Sequence, residues 1–283
     1  MPVVKDGMDI PAARLGSPEM LRRRVLTAVI ALSVLAVVLF VLPAVVARAV
    51  IAVLMLGGAW EWSGFIFGEA RNFRFLYVTF IAALMTAILA GLPDAGLVSL
   101  VLRVALVWWF AALAWIFFFP TPIARPLAWL CGMLVIVPAW LALDILYLKT
   151  PELLLFALLI VWIADIGAYF VGKGFGRVKL APRISPGKTW EGVLGGLCAV
   201  MLLAAMGSPV LDIDIAVLLP FCLAVAMLSI VGDLTVSMFK RNAGLKDSGT
   251  LFPGHGGILD RIDSVAAAAP LFAFALSWIG LQL

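Results

Sequence analysis

The sequence predicts an all-α protein that crosses a membrane about nine times, with its N-terminus in the cytoplasm and its C-terminus outside. Hydrophobic residues make up 65% of the chain and charged residues only 13%, and the mean hydropathy of +1.17 is typical of membrane proteins. The apolar residues also fall into runs long enough to cross a bilayer as helices of about 20 residues. The predicted spans are residues 25–42, 44–60, 75–93, 97–119, 127–148, 152–171, 190–207, 213–235 and 265–282.

These spans fill the chain, so we expect one integrated membrane domain without a separate soluble part. Its predicted parts are a cytoplasmic tail at 1–24, N-terminal membrane helices at 25–149, and C-terminal membrane helices at 150–283 with cytoplasmic loops at 172–189 and 236–264.

The basic residues decide the predicted orientation. Of the 20 Lys and Arg residues, all but Arg48, Arg103 and Lys149 fall in segments that this topology places in the cytoplasm. Such an excess is what the positive-inside rule describes. The net charge of +4 is therefore a sign of topology and gives no reason to expect nucleic-acid binding. The three cysteines lie inside apolar runs without ligand spacing, which argues against a zinc site.

Residues 237–263 combine cations that can bind phosphate with carboxylates that can bind a hard metal ion. The ionisable residues of this segment are Lys240, Arg241, Lys246, Asp247, His255, Asp260, Arg261 and Asp263. Charged groups near lipid are costly, so such a cluster indicates a functional site. An ordinary cytoplasmic loop would explain the basic residues, but it would not explain the carboxylates or the Gly-His-Gly-Gly sequence.

Helical spacing predicts which of these groups share a face. The eighth predicted span continues into the loop as a helix, and one face of it then carries Asp233, Ser237, Lys240 and Arg241. Asp260 and Asp263 share a face at the start of the last helix, where the alternative is that they only offset the helix dipole.

A second polar segment, residues 165–191, is a glycine-rich basic loop that follows Asp165. Two stretches approach the nucleotide-binding P-loop pattern, but each lacks one required residue and neither follows a strand, so we reject a P-loop. The remaining prediction is phosphate binding by backbone N–H groups and cations. Ser185 and Pro186 are typical of a helix start, which Thr189 or Glu191 could cap. Asp144 is a further acid within a predicted span, near its outer end.

The segment 237–263 resembles the pattern of phosphatidate cytidylyltransferases, also called CDP-diacylglycerol synthases. Every fixed position of that pattern is filled, by Ser237, Lys240, Arg241, Lys246, Asp247, Gly249, Pro253, Gly254, His255, Gly256, Gly257, Asp260, Arg261 and Asp263. Two upstream motifs are also similar, at Asp165, Ala168, Tyr169 and Gly172, and at Ser185, Pro186, Lys188, Thr189, Glu191 and Gly192. The resemblance is strong over roughly the C-terminal 120 residues. In the first half, only hydropathy and Trp60-Glu61-Trp62 match.

The resemblance implies transfer of CMP from CTP to phosphatidic acid, which yields CDP-diacylglycerol and pyrophosphate for phospholipid biosynthesis. The implied catalytic residues are Asp233, Asp260, Lys240, Arg241 and His255. The implied substrate-binding residues are Asp165, Tyr169, Gly172, Ser185, Lys188, Thr189, Glu191, Ser237, Lys246, Asp247, Gly256, Gly257 and Arg261. Mg²⁺, with or without a second cation, is the implied cofactor, held by Asp233, Asp260 and Asp263. His255 is equally well explained as a group near substrate phosphate or as a stabiliser of its loop.

Two other functions stay open at this point. One is a CTP-dependent transferase acting on another lipid phosphate, such as an archaeal-type ether lipid. The other is an anion or lipid transporter, although the acids concentrate on one side of one half of the chain, which disfavours it. In either enzymatic case the partners are CTP, a lipid phosphate and the bilayer, and a homodimer is compatible with the sequence. We expect an integral protein of the bacterial inner membrane, with its active site facing the cytoplasm.

Overall fold

The computed structural model describes residues 29–30, 32–91, 94–249 and 256–276. The chain divides into two compact units, residues 1–47 and residues 48–283. Residues 29–30 and 32–40 of the first unit are helical, and the rest of the first predicted span lies outside the described residues or at its end.

The described residues are mainly helical, as predicted, and they include one small hairpin. In chain order the elements are α1 Ala44–Phe67, α2 Arg71–Gly91, α3 Ala95–Phe118, α4 Arg125–Lys149, α5 Pro151–Phe175, β1 Lys179–Ala181, β2 Ser185–Thr189, α6 Trp190–Leu211, α7 Ile215–Asn242 and α8 Leu259–Ala275. Within the described part of the chain, seven helices, α1 to α7, are long and apolar enough to cross a membrane. The protein is therefore a polytopic membrane protein. The predicted ninth span, residues 265–282, is helical as far as Ala275, and its end lies outside the described residues.

Side-chain caps set several of the helix starts. Asp94 Oδ1 accepts a hydrogen bond from the backbone N–H of Gly96 at the start of α3, at 2.7 Å. Thr150 Oγ1 accepts a hydrogen bond from Leu153 N at the start of α5, at 3.2 Å. The side chain of Asp214 caps α7 in the same way. A helix leaves its first N–H groups without internal partners, so polar caps of this kind fix where the helix begins.

Helix α4 lies at the centre of the second unit. In its most apolar window 72% of the residues are buried, more than in any other candidate span. Helix α8 packs against α4 and α7, while α5 packs closely along α6. An ion pair ties α1 to α4: Arg48 Nε lies 2.7 Å from Asp144 Oδ1, and Arg48 Nη2 lies 2.9 Å from Oδ2. The acid predicted inside a span is thus neutralised by an arginine, as a buried carboxylate requires.

The predicted loop at 172–189 is wrong in detail. Helix α5 continues to Phe175, and residues 179–189 form an antiparallel hairpin in which Lys179 pairs with Thr189 and Ala181 with Ser185. Ser185 and Pro186 therefore lie in a strand and not at a helix start. The hairpin gives partners to backbone groups that the short connection between two packed helices would otherwise leave unsatisfied.

Candidate active site

A cavity of about 570 Å³ opens between α5, β2, α6 and α7. Its lining brings together residues predicted for the site from three separate parts of the sequence: Asp165, Tyr169, Gly172, Ser185, Lys188, Thr189 and Asp233. Apolar side chains, among them Val193, Leu197 and Ile230, form part of its wall. The cavity can therefore accept a ligand that is charged at one end and apolar at the other.

An ion pair crosses the polar part of the cavity. Lys188 Nζ from β2 lies 2.7 Å from Asp233 Oδ2 on α7, and each side chain is about one-quarter exposed. Ser237 Oγ, one turn further along α7, donates to Asp233 Oδ1 at 3.2 Å. Asp233 and Ser237 thus share one face of α7, as predicted, and the ion pair with Lys188 of β2 places both a cation and an anion at the cavity.

The hairpin is positioned by bonds to both neighbouring helices. Thr189 caps α6, because its Oγ1 accepts from Gly192 N at 3.1 Å. Glu191 accepts from Val178 N through both carboxylate oxygens, at 3.1 and 3.2 Å. Arg241 Nε, on α7, donates to the carbonyl oxygen of Ile184 at 3.1 Å. The resemblance places Thr189, Glu191 and Arg241 in the active site. Their bonds to the hairpin also hold Lys188 in its place.

Close packing of α5 on α6 shapes the cavity floor. A β-carbon added at Gly192 would lie 2.9 Å from the carbonyl oxygen of Ala168, and one at Gly196 would lie 2.6 Å from that of Ala164. Both distances are shorter than real β-carbon contacts, so only glycine allows this separation of the helices. The glycines of this segment allow the two helices to pack closely, whether or not they also contact phosphate.

A second charged cluster lies where α7 and α8 meet. Lys240 Nζ donates to Asp260 Oδ1 at 2.7 Å, and Asp260 Oδ2 accepts from the backbone N–H groups of Ser248 and Gly257, each at 3.0 Å. Burial by itself raises the pKa of Asp260, but these three hydrogen bonds outweigh it and hold the pKa below its usual value. Asp260 is therefore ionised at neutral pH.

Asp263 is the deepest of the predicted metal-binding carboxylates, at 7% exposed. Burial raises its pKa well above the usual range, and the negative charge of Asp233 raises it further. Its Oδ1 accepts a hydrogen bond from Ser264 N at 2.8 Å, and Asp263 forms no ion pair with another described residue. A cation next to Asp263 would stabilise its charged form.

The predicted metal-binding residues do not form one compact group in the part of the chain that is described. Asp233 pairs with Lys188 and Asp260 with Lys240, and no three His, Cys, Asp or Glu side chains there lie close enough to hold a metal ion. His255 lies outside the described residues, so its predicted role stays a prediction.

The other predicted residues lie in the segment after α7 and at the start of α8. Lys246 and Asp247 are exposed in the segment after α7, and Arg261 is exposed on α8. Gly256 has φ of +80°, a conformation that L side chains rarely adopt, and Gly257 is buried beside Asp260. None of these five is part of the cavity lining.

Sequence analysis did not select Glu61, although this carboxylate of α1 is only 5% exposed and contacts the segment that holds Asp260. The available signal was weak: an acid between two tryptophans at the end of an apolar run.

Comparison with known proteins gives consistent results. The sequence model of the cytidylyltransferase family matches residues 22–279. A phosphatidate cytidylyltransferase of Pseudomonas aeruginosa is 42% identical over 270 residues, which cover 92% of this chain and 97% of that protein. The phosphatidate cytidylyltransferase of Haemophilus influenzae is 38% identical over 283 residues, covering 90% and 98%. That of Staphylococcus saprophyticus is 46% identical over 125 residues, covering 44% and 48%. Because the match extends over nearly the whole sequence, this chain belongs to the cytidylyltransferase family.

Proposed function

We propose that this chain is a phosphatidate cytidylyltransferase, which transfers CMP from CTP to phosphatidic acid and releases pyrophosphate. The cavity between α5, β2, α6 and α7 carries this assignment, because Lys173 and Lys188 lie beside an apolar wall. Both substrates are anionic and one of them is a lipid, so a site that combines cations with apolar surface suits them. The relatives over nearly the full length carry this activity in their names.

In the reaction, a phosphate oxygen of phosphatidic acid attacks the α-phosphorus of CTP. The bond from that phosphorus to the oxygen that bridges to the β-phosphate breaks, and pyrophosphate leaves with the electron pair. The nucleophile is already anionic, so it needs little help from a base. The protein's contribution is to hold the two substrates in line and to offset charge. Lys188 and Lys240 are the cations that we assign to this work, with Arg241 and Arg261 beside them.

We also propose Mg²⁺ as the cofactor, on the chemistry of the available ligands. Asp263 and Asp233 are carboxylates whose charges lie close enough to raise the pKa of Asp263, and carboxylate oxygens are the ligands that Mg²⁺ prefers. Asp260 is the third candidate, although its oxygens already accept from Lys240 and two backbone N–H groups. When bound, Mg²⁺ would offset negative charge on the phosphates.

The finer topology is part of the proposal. We propose nine spans in the bacterial inner membrane, with the N-terminus and the cavity on the cytoplasmic side and the C-terminus outside. The distribution of Lys and Arg supports this orientation, and so does the substrate, since CTP is a cytoplasmic nucleotide.

A direct assay tests the proposed function. Purified protein in detergent micelles that contain phosphatidic acid is supplied with labelled CTP, with and without Mg²⁺, and the lipid product and pyrophosphate are measured. We expect equal amounts of both products, turnover with CTP and dCTP but not ATP, and dependence on Mg²⁺. Hydrolysis of several nucleotides without phosphatidic acid would refute the assignment and point to a phosphohydrolase or a pump.

A further inference from the structure

Glu61 lies outside the cavity, yet its carboxylate is saturated with hydrogen bonds to the segment that holds Asp260. Oε2 accepts from Ser248 Oγ at 2.7 Å and from the backbone N–H of Leu259 at 2.8 Å. Oε1 accepts from the backbone N–H of Ile258 at 2.9 Å. A carboxylate that is nearly inaccessible to water is stable only with such a set of donors.

Two of these donors belong to the first turn of α8. The residue at the N-cap position is Ile258, which has no side-chain oxygen to accept from the free N–H groups of the helix. Glu61 supplies this acceptor from α1, 197 residues earlier in the sequence. Its negative charge is also favourable at a helix N-terminus. The start of α8 is therefore fixed by a distant helix.

The surrounding backbone is shaped to accept the Glu61 carboxylate. A β-carbon added at Gly249 or at Gly257 would collide with that carboxylate. The backbone at Gly249 and at Gly257 thus approaches the Glu61 carboxylate closely, and a side chain at either position would force the two apart.

Asp260 accepts hydrogen bonds from the same two segments. Its Oδ2 accepts from the backbone N–H of Ser248 and from that of Gly257, and its Oδ1 accepts from Lys240. Residues 248 and 257–259 are therefore held between two carboxylates, Glu61 and Asp260. A shift of this segment would move Asp260 and, through it, the ammonium group of Lys240.

Helix α1 is itself firmly placed at this level. Trp62 Nε1 donates to the carbonyl oxygen of Ala128 on α4 at 2.9 Å, and its ring lies 4.7 Å from that of Phe239, the neighbour of Lys240 on α7. Arg74 Nη2, on α2, donates to the carbonyl oxygen of Trp60 at 2.8 Å. Three helices thus fix the part of α1 that carries Glu61, which makes it a rigid reference for α8.

We propose that Glu61 is a positioning residue for CMP transfer: it orients the Lys240–Asp260 pair by fixing the first turn of α8. This role rests on the function proposed above. It gives the N-terminal half of the chain, whose described residues line none of the cavity, a defined part in the reaction.

The variant Glu61→Gln tests this role with little change in volume. One of its two terminal atoms becomes an NH₂ group, and in either orientation that group faces a backbone N–H, of Ile258 or of Leu259, where an acceptor is needed. We expect kcat for CMP transfer to fall by about 10- to 100-fold, as for other residues that orient catalytic groups. The number of CTP molecules bound per protein should stay at the wild-type value.

Hydrogen–deuterium exchange gives a readout that does not depend on activity. In Glu61→Gln, exchange should rise in peptides that cover residues 256–262, while peptides from α5 and α6 exchange as in the wild type. Ser248→Ala removes only one of the three hydrogen bonds and should lower kcat less than Glu61→Gln does.

Asp144→Asn is the matched control. It removes the charge of another buried carboxylate that joins α1 to a second helix, but it lies outside both charged clusters. We expect wild-type kcat per folded molecule and unchanged exchange at 256–262.

Wild-type kcat in Glu61→Gln would overturn the inference. So would a loss of activity accompanied by fewer bound CTP molecules or by faster exchange throughout the chain, because either would show general destabilisation. A wild-type protein that transfers no CMP would instead refute the proposed function itself, which distinguishes the two failures.

Discussion

Replacing Asp260 with asparagine should lower both the unfolding temperature and the rate of CMP transfer, and the two effects can be measured separately. The wild-type carboxylate accepts three hydrogen bonds, one from Lys240 at 2.7 Å and two from the backbone N–H groups of Ser248 and Gly257 at 3.0 Å. Asparagine offers one oxygen, which can face the backbone groups or Lys240 but not all three. With the oxygen on the backbone side, the NH₂ group would face the ammonium group of Lys240.

The cost in stability follows from the burial of the pair. The side chains of Lys240 and Asp260 are 10% and 13% exposed, so Asp260→Asn leaves a nearly buried cation without its partner. Removing one member of a buried pair costs about 3–5 kcal/mol, and the residual exposure places this case near the lower value. For a chain of this size, about 3 kcal/mol corresponds to a fall in unfolding temperature of roughly 6–12 °C.

The double variant Lys240→Met/Asp260→Asn separates the two effects. Methionine fills a similar volume without charge, so we expect the unfolding temperature to recover most of the loss. Activity should not recover, because Lys240 and Asp260 are both gone. We expect the rate of CMP transfer to be on the order of 10³-fold below wild type in both variants. Thermal unfolding in one detergent and initial rates of CMP transfer measure the two quantities.

Two results would refute this reasoning. If Asp260→Asn unfolds at the wild-type temperature, Lys240 does not depend on Asp260 for its counter-charge. If the double variant is as active as the wild type, neither group takes part in the reaction.

Three further predictions concern the cavity, the helix packing and the topology. Lys188→Met removes one of the two lysines that line the cavity and should lower kcat/KM for CTP by about 10²-fold in steady-state assays; an unchanged value would remove this lysine from the site. Gly196→Ala should lower the unfolding temperature, because its β-carbon would lie 2.6 Å from a carbonyl oxygen of α5, whereas Gly174→Ala, with nothing within 4 Å, should not; equal effects would contradict the packing argument. In intact cells, a cysteine in Leu245→Cys should react only with cytoplasmic reagent, and one in Leu283→Cys only with external reagent; labelling of both from one side would require a different number of spans.

The membrane helices could be predicted from hydropathy because the bilayer sets their length and composition. The predicted span 127–148 corresponds to α4, Arg125–Lys149, and 152–171 to α5, Pro151–Phe175. The continuation of α7 to Asn242 was also predictable, because the polar residues that follow the span keep helical spacing. Local sequence is sufficient for features of this kind.

Contacts between distant segments could not be predicted in the same way. The hairpin at 179–189 has no alternating apolar pattern, and it forms because α5 and α6 bring its ends together. The resemblance implies that Asp233 and Asp260 are ligands of one metal, which stays a prediction, but it does not indicate that each pairs with a different lysine in the folded chain. Glu61 was not selected as a site residue because its partners lie up to 198 residues away.

The ion pair between α1 and α4 has a consequence for how the protein is made. Arg48 and Asp144 are 96 residues apart in the sequence. At about 5–20 residues per second, the ribosome needs roughly 5–20 s to reach Asp144 after it has added Arg48. During that interval α1 can enter the membrane while Arg48 has no counter-charge. An unpaired charge in a membrane is costly, and the long side chain of arginine lowers this cost because it can reach the interface. Asp144 has a short side chain and arrives second, when its partner is already in place. Exchanging the two residues would preserve the pair in the finished protein but would send the short carboxylate into the membrane first, so the order of synthesis itself favours the arrangement found in this chain.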